Sequence, residues 1–143
     1  VCPPLDLGHT VKRLQQRKYG LYHAYFLKKV SQQAKPWLKV PVRSIYEFDD
    51  TITAPLWGFS GAEDYYKQSS SLHYVSSIRL PCKLLFAEDD PFISPHLIQE
   101  AYKVPSGQLF TTTCGGHMGF LGYTAKEHRC YWLDQQLLEW VDN

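Results

Sequence analysis

Leu84-Leu85-Phe86-Ala87, followed at once by Glu88-Asp89-Asp90-Pro91-Phe92, is the stretch that most narrows what this chain can fold into. Four consecutive apolar residues read as a buried strand. Pro91 cannot continue a strand ladder, so the acidic residues fall at the strand's tip. A second stretch, Cys114-Gly115-Gly116-His117-Met118-Gly119-Phe120, holds a histidine between glycine-rich turns just after another β-prone run. A carboxylate and an imidazole at the ends of neighbouring strands are two of the three members of a hydrolytic triad.

The surrounding pattern supplies those strands. Residues 78–87 are β-prone, with Pro81 near the start, and 94–104 predict a helix with Ser94 as N-cap and Pro95 in the first turn. Gly107 to Thr113 predicts a second strand. The apolar positions Trp132, Leu133, Leu137, Trp140 and Val141 predict an amphipathic helix over 124–141. Strand, helix, strand and helix in that order make a βαβα unit with parallel strands.

Upstream the chain has another character. Leu7, Val11, Leu14, Leu21, Tyr22, Tyr25, Phe26 and Val30 recur at helical spacing from Leu7 to about Gln33, with Asp6 able to cap the start and Gly20 able to divide the run. Lys12, Arg13, Arg17, Lys18, Lys28, Lys29, Lys35, Lys39 and Arg43 occur with no Asp or Glu between Asp6 and Glu47. Such a basic amphipathic stretch can lie on an anionic membrane surface, or it can be a solvated helix face. Glu47, Asp49 and Asp50 lack calcium-loop spacing and read as helix caps and partners for these basic residues. Gly58 to Tyr66 predicts a turn entering a short helix, closed by Ser69-Ser70-Ser71.

Composition excludes several classes. With 44% hydrophobic and 20% charged residues the chain is an ordinary globular one, and a formal net charge of +1 gives no support to nucleic acid as a partner. No apolar run approaches the length of a membrane span. Cys2, Cys82, Cys114 and Cys130 are scattered without a Cys-x-x-Cys pair, so neither a zinc ribbon nor a thioredoxin-like site is expected. Reduced thiols favour a cytoplasmic setting, with peripheral membrane contact left to the basic stretch.

Asp90 and His117 therefore stand out as catalytic candidates. Both follow a strand's carboxyl end, where open parallel sheets gather their ligands, and 27 residues separate them, room for loop, helix and returning strand. Asp89 competes for the role of orienting the histidine, but Asp90 directly precedes Pro91 at the first turn past the strand and is preferred. A metal set of Asp89, Asp90, His96 and His117 is the weaker alternative, because no ligand spacing repeats. No cofactor is expected. The nucleophile is harder to place. Gly58-Phe59-Ser60-Gly61-Ala62 approaches a Gly-x-Ser-x-Gly elbow, yet Pro55-Leu56-Trp57 before it is no buried strand and Ala62 replaces the last glycine. Cys114 lies too close to the base, three residues before His117.

Leu84 to Phe92 with Gly115 to Phe120 resembles the carboxyl-terminal half of an α/β-hydrolase. More narrowly, it is similar to the bacterial YheT-like hydrolases and their eukaryotic abhydrolase-domain relatives. The stretch Glu47-Phe48-Asp49-Asp50-x-Ile-Thr-Ala-Pro-x-x-Gly-Phe and Asp64-Tyr65-Tyr66 resemble that family's lid. The resemblance implies parallel strands with flanking helices preceded by a helical lid. Residues 1–4 would end a core strand, 5–77 would form the lid, and 78–143 the last βαβα part of the core. It implies Asp90 and His117 as triad acid and base. It also implies a serine in an upstream part of the protein, without which this piece is inactive, and a small-molecule acyl ester as substrate. Aromatic residues such as Trp57, Tyr65 and Tyr66 would line the acyl site.

Overall fold

The computed structural model describes residues 1–38, 41–123 and 129–141. The chain forms two compact units, one of residues 4–72 and one that joins 1–3 to 73–143.

In the first unit, α1 (Leu7–Leu14) starts at Asp6, whose carboxylate accepts from the His9 N–H at 2.8 Å. The predicted division is present: α1 ends at Leu14, a short 3₁₀ turn spans Arg17–Tyr19, and α2 (Gly20–Gln33) follows. After α2 come α3 (Ile45–Phe48), a wide π turn over Asp49–Thr53, α4 (Ala54–Leu56) and α5 (Ala62–Ser69). Val11, Ala62 and Tyr66 form the centre of this unit, with Leu7, Ile45, Tyr46 and Tyr65 packed around them. Each large apolar side chain buried this way contributes roughly 1.5–3 kcal/mol.

Part of the acidic cluster caps helices as expected, at the starts of α3 and α5. Asp49 accepts from the Tyr66 hydroxyl at 2.6 Å, Asp50 from the Ala62 N–H at 2.8 Å, and Glu47 from the Arg43 N–H at 2.7 Å. These carboxylates fasten two helix starts and a buried phenol. Burial raises the Asp49 pKa, and the bonds from Tyr66 and Thr53 act against it. Tyr66 belongs to the unit's core and not to an acyl-site lining, whereas Trp57 is exposed. From the basic stretch, Lys12 reaches Glu63 in a long ion pair at 4.0 Å, both side chains exposed. Lys39 lies outside the described residues.

In the second unit, β1 (Cys82–Ala87) and β2 (Gly107–Thr112) pair in parallel, in register from Cys82 opposite Gly107 to Ala87 opposite Thr112. Leu85, Phe86 and Ala87 are fully buried, as the apolar run requires. The crossover helix α6 (Pro95–Ala101) turns Leu97, Ile98 and Ala101 inward. β1 is shorter than the predicted 78–87, and α6 ends before Val104. Ser94 stands at the cap position, but its side chain makes no capping bond.

The largest departure is near the end of the chain. β3 (Leu121–Tyr123) and β4 (Arg129–Tyr131) form an antiparallel pair, and α7 (Trp132–Val141) begins only there. The helix predicted from residue 124 is thus a strand over 129–131, while 124–128 lie outside the described residues. Trp132 explains the start: its N–H donates to the Phe120 carbonyl at 2.9 Å, tying the hairpin's exit to its entry. Further along α7, Trp140 stacks at 4.7 Å on Phe110 of β2. The unit is mixed α/β, with parallel strands and flanking helices.

Candidate active site

Ala87 ends β1 and Thr112 ends β2 side by side, so the turns that follow emerge at one edge of the sheet. In the first turn Asp90 is 2% exposed, and its Oδ1 accepts from the N–H groups of Phe92 at 2.7 Å and Ile93 at 3.2 Å. Its other oxygen, Oδ2, lies 2.9 Å from Nδ1 of His117. Both oxygens are therefore engaged. Burial alone would raise the Asp90 pKa; the hydrogen bonds from His117, Phe92 and Ile93 and the charge of His117 outweigh it and hold the carboxyl below its ordinary value.

The histidine loop is pinned as tightly. Asp89, which competed with Asp90 in the sequence, accepts from the Gly116 N–H at 2.8 Å. The Gly115 carbonyl accepts from the N–H groups of Gly119 at 2.9 Å and Phe120 at 3.2 Å. Gly115 allows a close approach: a Cβ there would stand 2.5 Å from the Phe120 ring. Gly116 takes φ +55°, and Met118, unusually for a side chain with a Cβ, takes φ 74°. The imidazole packs edge-on against Phe92, with ring centres 4.6 Å apart, and its side chain is 31% accessible.

A third side chain completes the cluster. Cys2 is fully buried, and its Sγ, a carboxylate oxygen of Asp90 and a ring nitrogen of His117 lie within 4.8 Å of one another. Its N–H donates to the Leu85 carbonyl at 2.7 Å, so the start of the chain runs beside β1. The three side chains have metal-ligating chemistry. Asp90, however, already fills both oxygens with N–H donors, and burial, the first cause, together with the Asp90 charge keeps the thiol protonated, its pKa raised to about 11. The arrangement suits hydrogen bonding better than a thiolate ligand set. His96 does not join it: that ring lies on α6, 4.0 Å from Glu100.

With Nδ1 turned to Asp90, Nε2 is the nitrogen that can accept a proton from a nucleophile. The sequence reading missed Asp89 as the anchor of the histidine loop, and it missed Cys2. A signal for Cys2 existed, since a strand ending at Pro3-Pro4 puts its last side chain at the sheet edge where the two turns meet. Ser60 is engaged within its own unit, where its N–H and hydroxyl donate to Asp64 at 3.0 and 3.1 Å. Cys114 is exposed.

No family model matches the chain, and no solved structure matches it. Curated proteins do. The chain is 38% identical over 101 residues to "Putative esterase YheT" of Escherichia coli, covering 70% of this chain and 29% of that protein. It is 29% identical over 137 residues to an abhydrolase domain-containing protein of Dictyostelium discoideum, covering 94% of this chain and 32% of the relative. It is 38% identical over 80 residues to monoacylglycerol lipase of Saccharomyces cerevisiae, covering 55% and 18% respectively. The chain thus spans less than a third of the length of each of these relatives. Similarity of this extent, over a chain with parallel strands and flanking helices, places it: the chain belongs to the α/β-hydrolase superfamily, in the group of YheT-like and abhydrolase-domain proteins.

Proposed function

We propose that the protein to which this chain belongs is a serine hydrolase of carboxylic esters, with Asp90 and His117 as the acid and base of its triad. The observation that carries the reading is the buried Asp90 carboxylate held 2.9 Å from His117 at the tips of two adjacent parallel strands. The serine is assigned to a part of the protein outside these residues, because no Gly-x-Ser-x-Gly occurs in the sequence and the Ser60 hydroxyl is bound to Asp64 in its own unit. In the first half of the reaction the serine oxygen bonds to the ester carbonyl carbon while its proton passes to His117 Nε2. That proton then leaves with the alcohol as the acyl–oxygen bond breaks. In the second half water repeats the sequence, releasing the carboxylic acid and the serine. Asp90 fixes the tautomer and stabilises the imidazolium. The names of the relatives, esterase and monoacylglycerol lipase, support an acyl ester of a small alcohol as the substrate class.

The test uses the full-length protein and p-nitrophenyl esters. His117→Ala and Asp90→Asn should each lower kcat by a factor on the order of 10⁴. Hydrolysis retained in either variant would overturn the assignment.

A second reading concerns where the protein works, and the surface of α2 supports it. No residue of α2 is buried. Leu21 is 89% exposed, Tyr22 and Tyr25 about half exposed, and Trp37 beyond the helix is 59% exposed. Lys28 and Lys29 lie one turn from Tyr25, with the Lys29 ammonium 5.6 Å from its ring centre. Aromatic side chains among lysines suit the headgroup level of an anionic bilayer, and we assign peripheral lipid contact to this face. None of the described helices is long and apolar enough to cross a membrane.

A further inference from the structure

We propose that Cys2 is a positioning residue for the Asp90–His117 pair: its thiol clasps the histidine loop to the strand tip and donates a hydrogen bond to the Asp90 carboxylate. The inference rests on the reading of that pair as catalytic, and it adds a role that neither spacing nor family likeness assigns.

Position comes first. Cys2 belongs to the same compact unit as residues 73–143, although 80 residues separate it from the start of β1. Its N–H is bound to Leu85 at 2.7 Å, which fixes the backbone. The residue takes φ 40°, in the left-handed region that side chains with a Cβ rarely adopt. That conformation accompanies a side chain held at 1% exposure, with Sγ among the polar atoms of Asp90 and His117.

The sulfur lies within 4.8 Å of a carboxylate oxygen of Asp90 and of a ring nitrogen of His117. The backbone N–H groups of Ala87, at the end of β1, and of Met118, beside His117, act on the thiol's pKa, as does the Asp90 carboxylate. Burial is the main cause of the rise of its pKa to about 11, and the N–H groups of Ala87 and Met118 only partly offset it. At neutral pH the group is a thiol with one proton to give, and the adjacent acceptor is a carboxylate. A thiol is a weak donor to a neutral oxygen, but an ionised acceptor strengthens the bond. The result is one more donor on the triad acid and one fixed point for the turn that carries His117. Met118 is strained at φ 74°, and a loop with a strained residue needs such external anchors. The thiol is not a second nucleophile: it is protonated, enclosed and bound to the acid that orients the base.

In the full-length protein, Cys2→Ala should lower kcat for p-nitrophenyl ester hydrolysis about tenfold while KM stays within about twofold, since the substrate does not touch the sulfur. Cys2→Ser, which keeps a donor in nearly the same volume, should restore most of the loss. The direct readout is the exchange of the His117 Nδ1 proton with solvent, followed by NMR. It should quicken in Cys2→Ala and return towards the parent rate in Cys2→Ser. If Cys2→Ala leaves both kcat and proton exchange unchanged, or if Ser and Ala are equally impaired, the clasp is refuted. The proton-exchange comparison stands apart from catalysis. An active His117→Ala would defeat the hydrolase reading and leave the structural half of this test in force.

Discussion

The tip of the parallel strands and the surface of α2 use polar side chains in opposite ways. At the tip, the carboxylates and the imidazole meet partners inside the protein, while the buried hydroxyls of Thr112 and Ser94 have no hydrogen-bond partner among the described residues. Asp90 takes three N–H donors, Asp89 ties down Gly116, and Cys2 fills the space between. Nine of the chain's 15 basic residues fall between Asp6 and Glu47; Lys12, Arg17, Lys18, Lys28 and Lys29 are exposed on and between α1 and α2, and exposed aromatics sit among them. Buried polar groups gain from a low local dielectric only when they are fully paired, so the tip must be exact in geometry. Exposed charges are screened within about 8 Å at physiological salt and act through their number. Geometry therefore governs one region, and charge density the other.

The sharpest way to break this contrast is to change charge alone. Replacing Lys12, Arg13, Arg17 and Lys18 with Gln removes four of the nine charges and leaves α1's buried Val11 and Leu14 intact. At roughly 1 kcal/mol for each basic residue near an anionic surface, binding to phosphatidylserine vesicles should fall by up to about a thousandfold. Binding to phosphatidylcholine vesicles should stay weak in both proteins, and hydrolysis of a soluble ester should be unchanged. Equal vesicle affinity before and after the substitution would reduce α1 and the 3₁₀ turn after it to a solvated face.

That contrast also explains how much was legible in the sequence. Asp90 and His117 could be located because each is announced locally, by an apolar strand, a proline and a run of glycines, and strand tips are where parallel sheets converge. The break between α1 and α2 was readable at Gly20 for the same reason. What escaped were interactions that close over a long separation. Pro3-Pro4 marks a strand tip beside Cys2 but does not pair its sulfur with Asp90, and nothing near Asp49 says that it will accept from Tyr66, 17 residues on. The helical pattern of residues 132–141 was likewise extended too far upstream, because the pairing of Arg129–Tyr131 with Leu121–Tyr123 overrides local periodicity.

Geometry at the tip can be perturbed without touching charge. A methyl group at position 115 would meet the Phe120 ring at 2.5–2.7 Å and the Ala87 Cβ at 3.1 Å. Gly115→Ala must move the ring or the loop, and overpacking of this kind costs about 1–3 kcal/mol. The urea midpoint should fall accordingly. A displacement of about 1 Å at His117 should lower kcat about 100-fold. Ser or Ala at Gly20, where a Cβ meets nothing within 4 Å, should do neither. A Gly115→Ala variant with unaltered kcat would show that the loop tolerates more slack than its bonds suggest.

The smallest expected effect is the response of the pair to acid, and its sign follows from the lowered pKa of Asp90. A carboxyl whose pKa is lower folded than unfolded contributes stability that is full above its unfolded value, near 3.9, and is lost as pH falls through the folded value. Asp90→Asn keeps an acceptor for Phe92 and Ile93 but removes the charge, a difference of about 1 kcal/mol for a hydrogen bond made to an ion rather than to a neutral group. The stability gap between the parent and Asp90→Asn should therefore hold constant from pH 7 to about pH 4 and close below it. Urea titrations of both proteins at several pH values measure that gap. If it closes already between about pH 5 and 6, burial and not hydrogen bonding sets the state of Asp90, and the carboxylate would not be the fixed charge that a catalytic histidine requires.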